Sequence, residues 1–510
     1  MQSITAKSVR AAVLFGGLVL GAIPALAQRA AGGVRPVSLE DAIQLAEQRS
    51  TTVRMARAGV TRAEGQFDQA RSQFLPQVGA SLGYTRTLRS QFSGFSFGST
   101  SSDSTGSNGT SSPASNLQSV GFGAENEYVI GLQVSQNVFT WGRLTGQRTA
   151  AVAGQRVADL ELGSQRAQLA LDVTQAYYDA VLAQQLLVIS DSTLAQTDEL
   201  LRQTTVARRV GNASDFDLLK AQVTRDNQRP QVLQAETNLE VALLNLKRLL
   251  ELPLDDSVVL TTPIENAPMP GLAGIATTNA PDTSSLQRAA VREAQQNVRA
   301  QEGLLQVARA ERYPALSLTS GYQRLFFPAN TFPAWSNFRE NWTVGLSAQV
   351  SLFNGGGTHG DELVAQANVH QAQAQLDQTR QYAAVDARVA MRQLAQADAS
   401  WEASAGTSEQ ARRAYAIDQV RYQQGLSTQT DLAQSRLLLQ QAEANRAQAA
   451  RDLAVARVRV ALLRDLPLSG GPGGASSGSS TTSTGASASR MPASTPAVTG
   501  TSGQIGGNTP

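Results

Sequence analysis

The chain repeats itself, and this limits its fold more than any other feature. Residues 210–221 read VGNASDFDLLKA and residues 424–435 read QGLSTQTDLAQS. Gly211 pairs with Gly425, Ser214 with Thr428, Asp217 with Asp431 and Leu218 with Leu432, all at an offset of 214, which also aligns Gly131 with Gly345, Phe139 with Phe353 and Pro253 with Pro467. Upstream the offset becomes 238, pairing Val53 with Val291, Ala70 with Ala308, Pro76 with Pro314 and Tyr84 with Tyr322. The first copy therefore carries 24 extra residues between Tyr84 and Tyr128, in the Ser/Gly/Thr-rich stretch from Arg89 to Gly121. Self-similarity over such a span means one structural unit used twice. The copies occupy residues 28–256 and 282–468, joined by a linker at 257–281.

Each copy contains two segments with period-2 alternation. Tyr128, Ile130, Leu132, Val134 and Val138 oppose Gly131, Gln133, Ser135 and Asn137, while Trp342, Val344, Leu346, Ala348, Val350 and Leu352 oppose Thr343, Gly345, Ser347, Gln349 and Ser351. Val78, Ala80, Leu82 and Tyr84 alternate with Gly79, Ser81 and Gly83, and the stretch after Pro314 is a weaker fourth case. Strands of about 10 residues, apolar on one face and small or polar on the other, are the signature of a membrane β-barrel. Aromatic placement agrees with that reading. Of the 27 aromatics, 18 fall within residues 74–141 and 313–353, as expected for residues that seek the membrane-water interface.

Nearly everything else in the two copies reads as helix, rich in Ala, Gln, Leu, Arg and Glu. Two runs of about 67 residues, from Arg143 and from Thr358, predict rods near 100 Å at a 1.5 Å rise. Shorter helices over 38–74 and 215–250, and over 283–313 and 429–464, stack end to end beside them, with Pro230 expected to kink its helix. Ala365, Ala367, Ala372 and Ala374 form a small-residue seam suited to close helix approach.

Charge and composition narrow the function. Lys7 and Arg10 precede an apolar run ending in Ala25-Leu26-Ala27, an export signal over residues 1–27. Its removal leaves 41 basic against 41 acidic residues, a balance that argues against nucleic-acid binding. With no Cys in the chain, thiol nucleophiles, disulfides and iron-sulfur clusters are excluded. The tail from 469 to 510, nearly all Ser, Gly, Thr, Ala and Pro, has no core-forming capacity.

Four strands cannot close a membrane barrel, since the smallest have eight and a lumen needs more. Three chains supply twelve strands and twelve helical tracks. The expected fold is α+β: long helices forming an α-helical barrel, with a transmembrane β-barrel of four strands per chain completed by a homotrimer.

At this point the residues resemble the TolC-like outer-membrane efflux family, over about residues 38–467 and most specifically in the turns at 210–221 and 422–435. The resemblance implies an outer-membrane channel with a helical portion in the periplasm. It would be a passive exit duct for an inner-membrane transporter acting through a periplasmic adaptor, in efflux or type I secretion. It places adaptor docking at Val210, Gly211, Asn212, Ala213, Ser214, Gly425, Leu426, Ser427 and Thr428, and a pore constriction at Asp217, Tyr422, Asp431 and Gln434. In the family a Tyr and an Arg of the second turn bond across to the first turn's acid. Tyr422 and Asp217 match that pattern, whereas Ser427 stands at the Arg position and Gln434 at a second Asp position. The same turns have a local reading: Ser214 with Asp217, and Thr428 with Asp431, fit the capping box, and Gly211 and Gly425 fit helix terminators.

No cofactor, metal or catalytic set is expected. Gly355, Gly357 and Gly360 satisfy G-x-G-x-x-G, but the preceding strand has a polar face and no βαβ unit surrounds it. Gly94, Ser96 and Gly98 match G-x-S-x-G within low-complexity sequence, and His359 and His370 are too few for a zinc site. The competing non-enzymatic reading is a trimeric coiled-coil stalk or adhesin anchored in the outer membrane. Two hairpins embedded between helices favour the duct, because a stalk needs a single anchor.

Overall fold

The computed structural model describes residues 35–88, 125–264, 285–328 and 338–468. The export signal, the 89–121 stretch and the 469–510 tail lie outside the described residues. Strands and helices follow the order β1 (Arg35–Val37), α1 (Leu39–Arg49), α2 (Thr51–Ser72), β2 (Gln77–Arg86), β3 (Asn126–Phe139), α3 (Arg143–Arg209), α4 (Asp215–Leu249) and β4 (Val258–Leu260). The second half continues with α5 (Ala289–Ala310), β5 (Ala315–Phe326), β6 (Arg339–Gln349), α6 (Gly357–Gln423) and α7 (Gln429–Ala461).

Both long helices, α3 and α6, are 67 residues, so each spans about 100 Å. Each follows a strand through a left-handed glycine, Gly142 before α3 and Gly356 before α6, at equivalent positions of the two copies. Helix α3 packs against α2 and α4 on one side and against α5 and α7 on the other, and α6 packs against α5 and α7. The chain thus forms four parallel tracks: α2 continued by α4, then α3, then α5 continued by α7, then α6.

The strands keep the same lateral order. They form one antiparallel sheet, β2-β3-β5-β6. Leu82 lies opposite Ile130, Leu132 opposite Tyr322 and Tyr322 opposite Trp342, so the apolar residues share one face. Ser81, Gly131 and Gln323 line up on the other. Leu82 is 79% exposed and Trp342 73% exposed, as suits a face solvated by lipid rather than water. Aromatic pairs stand at both ends of the sheet: Tyr84 with Tyr128 at 4.7 Å near the hairpin end, and Trp141 stacked on Tyr313 at 4.8 Å where strands give way to helices.

Two features differ from the expectations. The helix expected over 38–74 breaks at Ser50, which begins α2, and the freed N–H of Thr51 donates to Glu251 at 2.7 Å. The stretch 257–281, expected as a linker, opens with β4, which pairs in parallel with β1. Tyr177 of α3 ties this small sheet to the rod, donating from its hydroxyl to the Val37 carbonyl at 3.1 Å and accepting from the Thr262 N–H at 2.9 Å. The main apolar core lies at this level, where Val37, Ala42, Val53, Ala170, Val173, Tyr178, Leu246, Leu250 and Leu462 are buried together. Helix α4 runs uninterrupted through Pro230. The residue that loses its hydrogen bond to the missing N–H is Asp226, exposed enough for water to replace it.

Candidate functional site at the helical tip

The two long helices end in the same way. Gly211 (φ 80°) and Gly425 (φ 73°) adopt the left-handed conformation that glycine reaches without penalty. Each closes a Schellman turn, in which Asn212 N–H donates to the Ala207 carbonyl at 2.8 Å and Leu426 N–H to the Arg421 carbonyl at 2.8 Å. The chain reverses there, and the next helix begins at once.

Each of those helices starts with a full capping box. Ser214 Oγ accepts from the Asp217 N–H at 3.1 Å, while the Asp217 carboxylate accepts from the Ser214 N–H at 3.2 Å and its hydroxyl at 2.7 Å. Thr428 and Asp431 repeat the arrangement, with Asp431 accepting from the Thr428 N–H at 3.0 Å and hydroxyl at 2.7 Å. Hydrogen bonds from the Ser214 hydroxyl and N–H, helped by the nearby Lys220 ammonium, hold Asp217 below the usual carboxylate range. Bonds from the Thr428 hydroxyl and N–H do the same for Asp431, with Arg421 and Lys220 adding to the effect. Both acids are therefore ionised at neutral pH.

The two turns are brought together, though not by the residues that the resemblance pointed to. Lys220 of α4 donates from Nζ to Thr430 Oγ1 of α7 at 2.6 Å. Asp217 is engaged with its own cap, and among the described residues no hydrogen bond joins it to Tyr422, which is half-buried. Among the described residues Ser427 bonds only locally, to the Thr428 carbonyl at 3.4 Å, and Gln434 is exposed on α7. Arg208 forms an ion pair with Asp215 across the first turn. At the position equivalent to Asp215 stands Gln429, 7% exposed, whose side-chain oxygen and nitrogen are both without a partner. Val210, Gly211, Asn212, Gly425 and Leu426 are all exposed, with Val210 and Leu426 presenting apolar side chains at the extreme end of the rod.

Sequence reasoning missed Lys220 and Gln429. Lys220 and Thr430 lie 210 residues apart, with nothing in either local sequence to announce the contact. The burial of Gln429 likewise depends on neighbouring helices.

Elsewhere on the rod, a cavity of about 650 Å³ lies between α3, α6, α7 and the chain from the end of β4 onward. It is lined by Val181, Val188, Ile189 and Leu260 and by Arg412 and Glu443, which neutralise each other at 3.1 Å.

A four-stranded sheet with an apolar outer face, continued without a break into four tracks of about 100 Å, defines a protein that joins an outer-membrane pore to a periplasmic conduit. The family model for outer membrane efflux proteins matches residues 42–251 and 280–464, and the chain belongs to that family. It is an outer-membrane efflux channel, with its strands in the membrane and its helical rod in the periplasm. A curated relative, the pyoverdine export outer membrane protein OpmQ of Pseudomonas aeruginosa, is 23% identical over 395 residues, covering 76% of this chain and 77% of its own. Among solved structures, the open state of the MtrE channel of Neisseria gonorrhoeae aligns with a TM-score of 0.67 at 19% identity, covering 84% of this chain and 89% of MtrE. The outer membrane protein VceC of Vibrio cholerae aligns with a TM-score of 0.62 at 18% identity, covering 84% and 95% respectively. Family membership decides for the duct over the stalk.

Proposed function

We propose that three copies of this chain close into one tube, a passive duct receiving substrates from an inner-membrane transporter through a periplasmic adaptor that docks at the helical tips. The observation that carries this reading is the state of the sheet edges. Strands β2 and β6 are exposed along their whole length, and each offers an unpaired row of backbone donors and acceptors. In a membrane such an edge is untenable, because no water is available to satisfy it. Pairing β2 of one copy with β6 of the next removes every edge after three copies and leaves twelve strands around a lumen.

The outer helical tracks support the same arrangement. Helix α4 exposes Phe216, Leu219, Val223, Leu233 and Val241, and α6 exposes Leu363, Val364, Val385, Val389, Ile417 and Val420. A neighbour's α6 set against α2 and α4 would cover these faces at the same boundary that joins the strands. Native mass measurement of the detergent-solubilised protein should give three chains. A monomer or dimer would overturn the architecture.

Docking at Val210–Ser214 and Gly425–Thr428 draws its support from their position at the extreme end of the rod, where Val210 and Leu426 expose apolar side chains. Cysteines placed at Asn212 or Leu426 should cross-link to a periplasmic partner, whereas one at Ser99, in the expected extracellular stretch, should not. Equal cross-linking at all three positions would refute this orientation. A constriction formed by Asp217, Tyr422, Asp431 and Gln434 belongs to the same reading, with Lys220 to Thr430 as the bond that holds the two turns of one chain together.

A further inference from the structure

We propose that a basic cleft between α3 and α5, just below the β-sheet, binds the phosphodiester headgroup of an anionic phospholipid from the inner leaflet of the outer membrane. The cleft encloses about 230 Å³ and is lined by Arg148, Arg156 and Arg299 with Thr145, Thr149 and Gln296. No carboxylate among the described residues pairs with any of the three arginines. Arg299 donates to the neutral Gln296 at 3.4 Å, and Arg148 and Arg156 make no side-chain hydrogen bond among the described residues. Other arginines on the rod, including Arg202, Arg225, Arg309, Arg312, Arg412 and Arg451, meet acids, whereas here three without one line a single cleft. Three guanidinium groups held around one cavity repel each other, and they favour an anion with several acceptor oxygens, to which each can present a planar fork.

Height identifies the source of that anion. The stacked Trp141 and Tyr313 mark the lower membrane boundary. Measured along α3 from Arg143, Thr145 lies about 3 Å and Arg148 about 8 Å below its start, and Arg156 about 20 Å. Close contact of Gly146 with Gly303 sets the register of α5, placing Arg299 between the levels of Arg148 and Arg156. Headgroups extend about 5–8 Å beyond the hydrocarbon on each side. The upper half of the cleft therefore opens at headgroup depth, and its lower arginines can reach up along their flexible stems. Basic pockets at this depth beside membrane segments are where anionic headgroups bind.

The cleft also faces the right way. Thr149, Val152 and Arg156 lie three heptads before Ala170, Val173 and Tyr177, the stripe of α3 that carries the β1–β4 sheet and its core, an offset of about 60° on a straight helix that keeps them on the same half of α3. In a tube of packed tracks, that added layer can sit only outside. Because α3 and α5 are the two inner tracks of the chain, a neighbouring copy joined through α2, α4 and α6 does not cover the cleft.

The test is lipid binding by the full-length protein in neutral detergent, measured by native mass spectrometry with phosphatidylglycerol, phosphatidylcholine or inorganic phosphate added. Phosphatidylglycerol should bind about tenfold more tightly than phosphatidylcholine, a difference of about 1.4 kcal/mol. The triple variant Arg148→Gln, Arg156→Gln, Arg299→Gln should lose that preference. A charge-matched control, Arg229→Gln, Arg388→Gln, Arg392→Gln, should keep it, and Arg148→Lys, Arg156→Lys, Arg299→Lys should keep most of it. Unaltered oligomeric mass and circular dichroism exclude misfolding of the variants. Absence of a preference in the natural protein, or its survival in the triple Gln variant, would overturn the proposal. Inorganic phosphate competing as well as the lipid would also overturn it, because the site would then be one for free phosphate. None of these readouts depends on channel activity, so failure here leaves the duct itself untouched.

Discussion

Replacing Asp386 by Asn should weaken the rod at its middle more than almost any other single change. In the second copy, the joint between α5 and α7 is pinned to α6 by a buried ion pair: Arg288, 1% exposed, donates from Nη2 to Asp386, 7% exposed, at 2.8 Å. The same nitrogen reaches the Leu466 carbonyl at 3.5 Å, and Arg459 approaches the other Asp386 oxygen at 3.4 Å. Nε and Nη1 of Arg288 have no partner, so its charge is compensated chiefly by Asp386. Removing one member of such a pair costs about 3–5 kcal/mol, because the remaining charge stays desolvated. Asn keeps the shape and one acceptor, which places the expected loss near the lower bound, about 3 kcal/mol. Removing both charges, as in Arg288→Met with Asp386→Leu, should bring stability back to within about 1 kcal/mol of the natural protein or raise it. Arg459, partly exposed, can then be hydrated. The assay is equilibrium urea unfolding of the helical signal by circular dichroism at fixed protein concentration, since oligomerisation contributes to apparent stability. A single variant within about 1 kcal/mol of the natural protein, or a double variant weaker than the single one, would refute the assignment of uncompensated buried charge.

Asp172 occupies the position equivalent to Asp386 in the first copy, where Ser50 replaces the arginine; burial pushes its carboxyl up despite the Gln168 hydrogen bond and the Arg248 charge. The folded state therefore binds this proton more tightly than the unfolded one, so the cost is present above the raised folded value and relieved as pH falls below the unfolded one. Asp172→Asn should be more stable than the natural protein at pH 7, with the gap closing on mild acidification; a gap that does not depend on pH would contradict this. Gly211→Ala should cost about 1–2 kcal/mol of local stability at the tip through its left-handed backbone, seen as faster hydrogen exchange at Asn212, although a Cβ there meets open space. At the proposed constriction, Lys220→Ala should raise resting conductance in planar bilayers and Ser427→Arg should lower it, while Asp431→Asn should remove most cation selectivity. Unchanged conductance in both of the first two variants would place the constriction elsewhere.

What could be read from the sequence was whatever repeats or acts locally. The alternation in 128–138 and 342–352 is local, and both segments lie in strands of one sheet, although β6 ends at Gln349, three residues before the alternation does. The long helices were legible to within a residue or two, because helical periodicity ends at Gly211 and Gly425, and Gly406, the one break in the second run, is carried within the helix. The break at Ser50 was not legible, since Ser is tolerated inside helices and the group that accepts the Thr51 N–H comes from Glu251, 200 residues away. Strands β1 and β4, three residues each, are too short to show a period, and they persist because Tyr177 bonds both sides of the pair.

The tip divides along the same line, and the division bears on how it would close. Capping boxes and helix-ending turns are written into four to six consecutive residues, and they were visible as Ser214 to Asp217 and Thr428 to Asp431, and as the terminating Gly211 and Gly425. The link between the turns is not local. Once Asp217 and Asp431 accept from their own caps, each keeps its negative charge but has little geometric freedom to reach across to another helix. The residues supplying negative field at the tip are thus distinct from those joining one turn to the other. The joining role falls to Lys220, whose long side chain spans from α4 to Thr430 and whose charge also acts on both carboxylates. Substitution at Lys220 should then move conductance and selectivity together, whereas substitution at Asp431 should move selectivity with little change in the closed population.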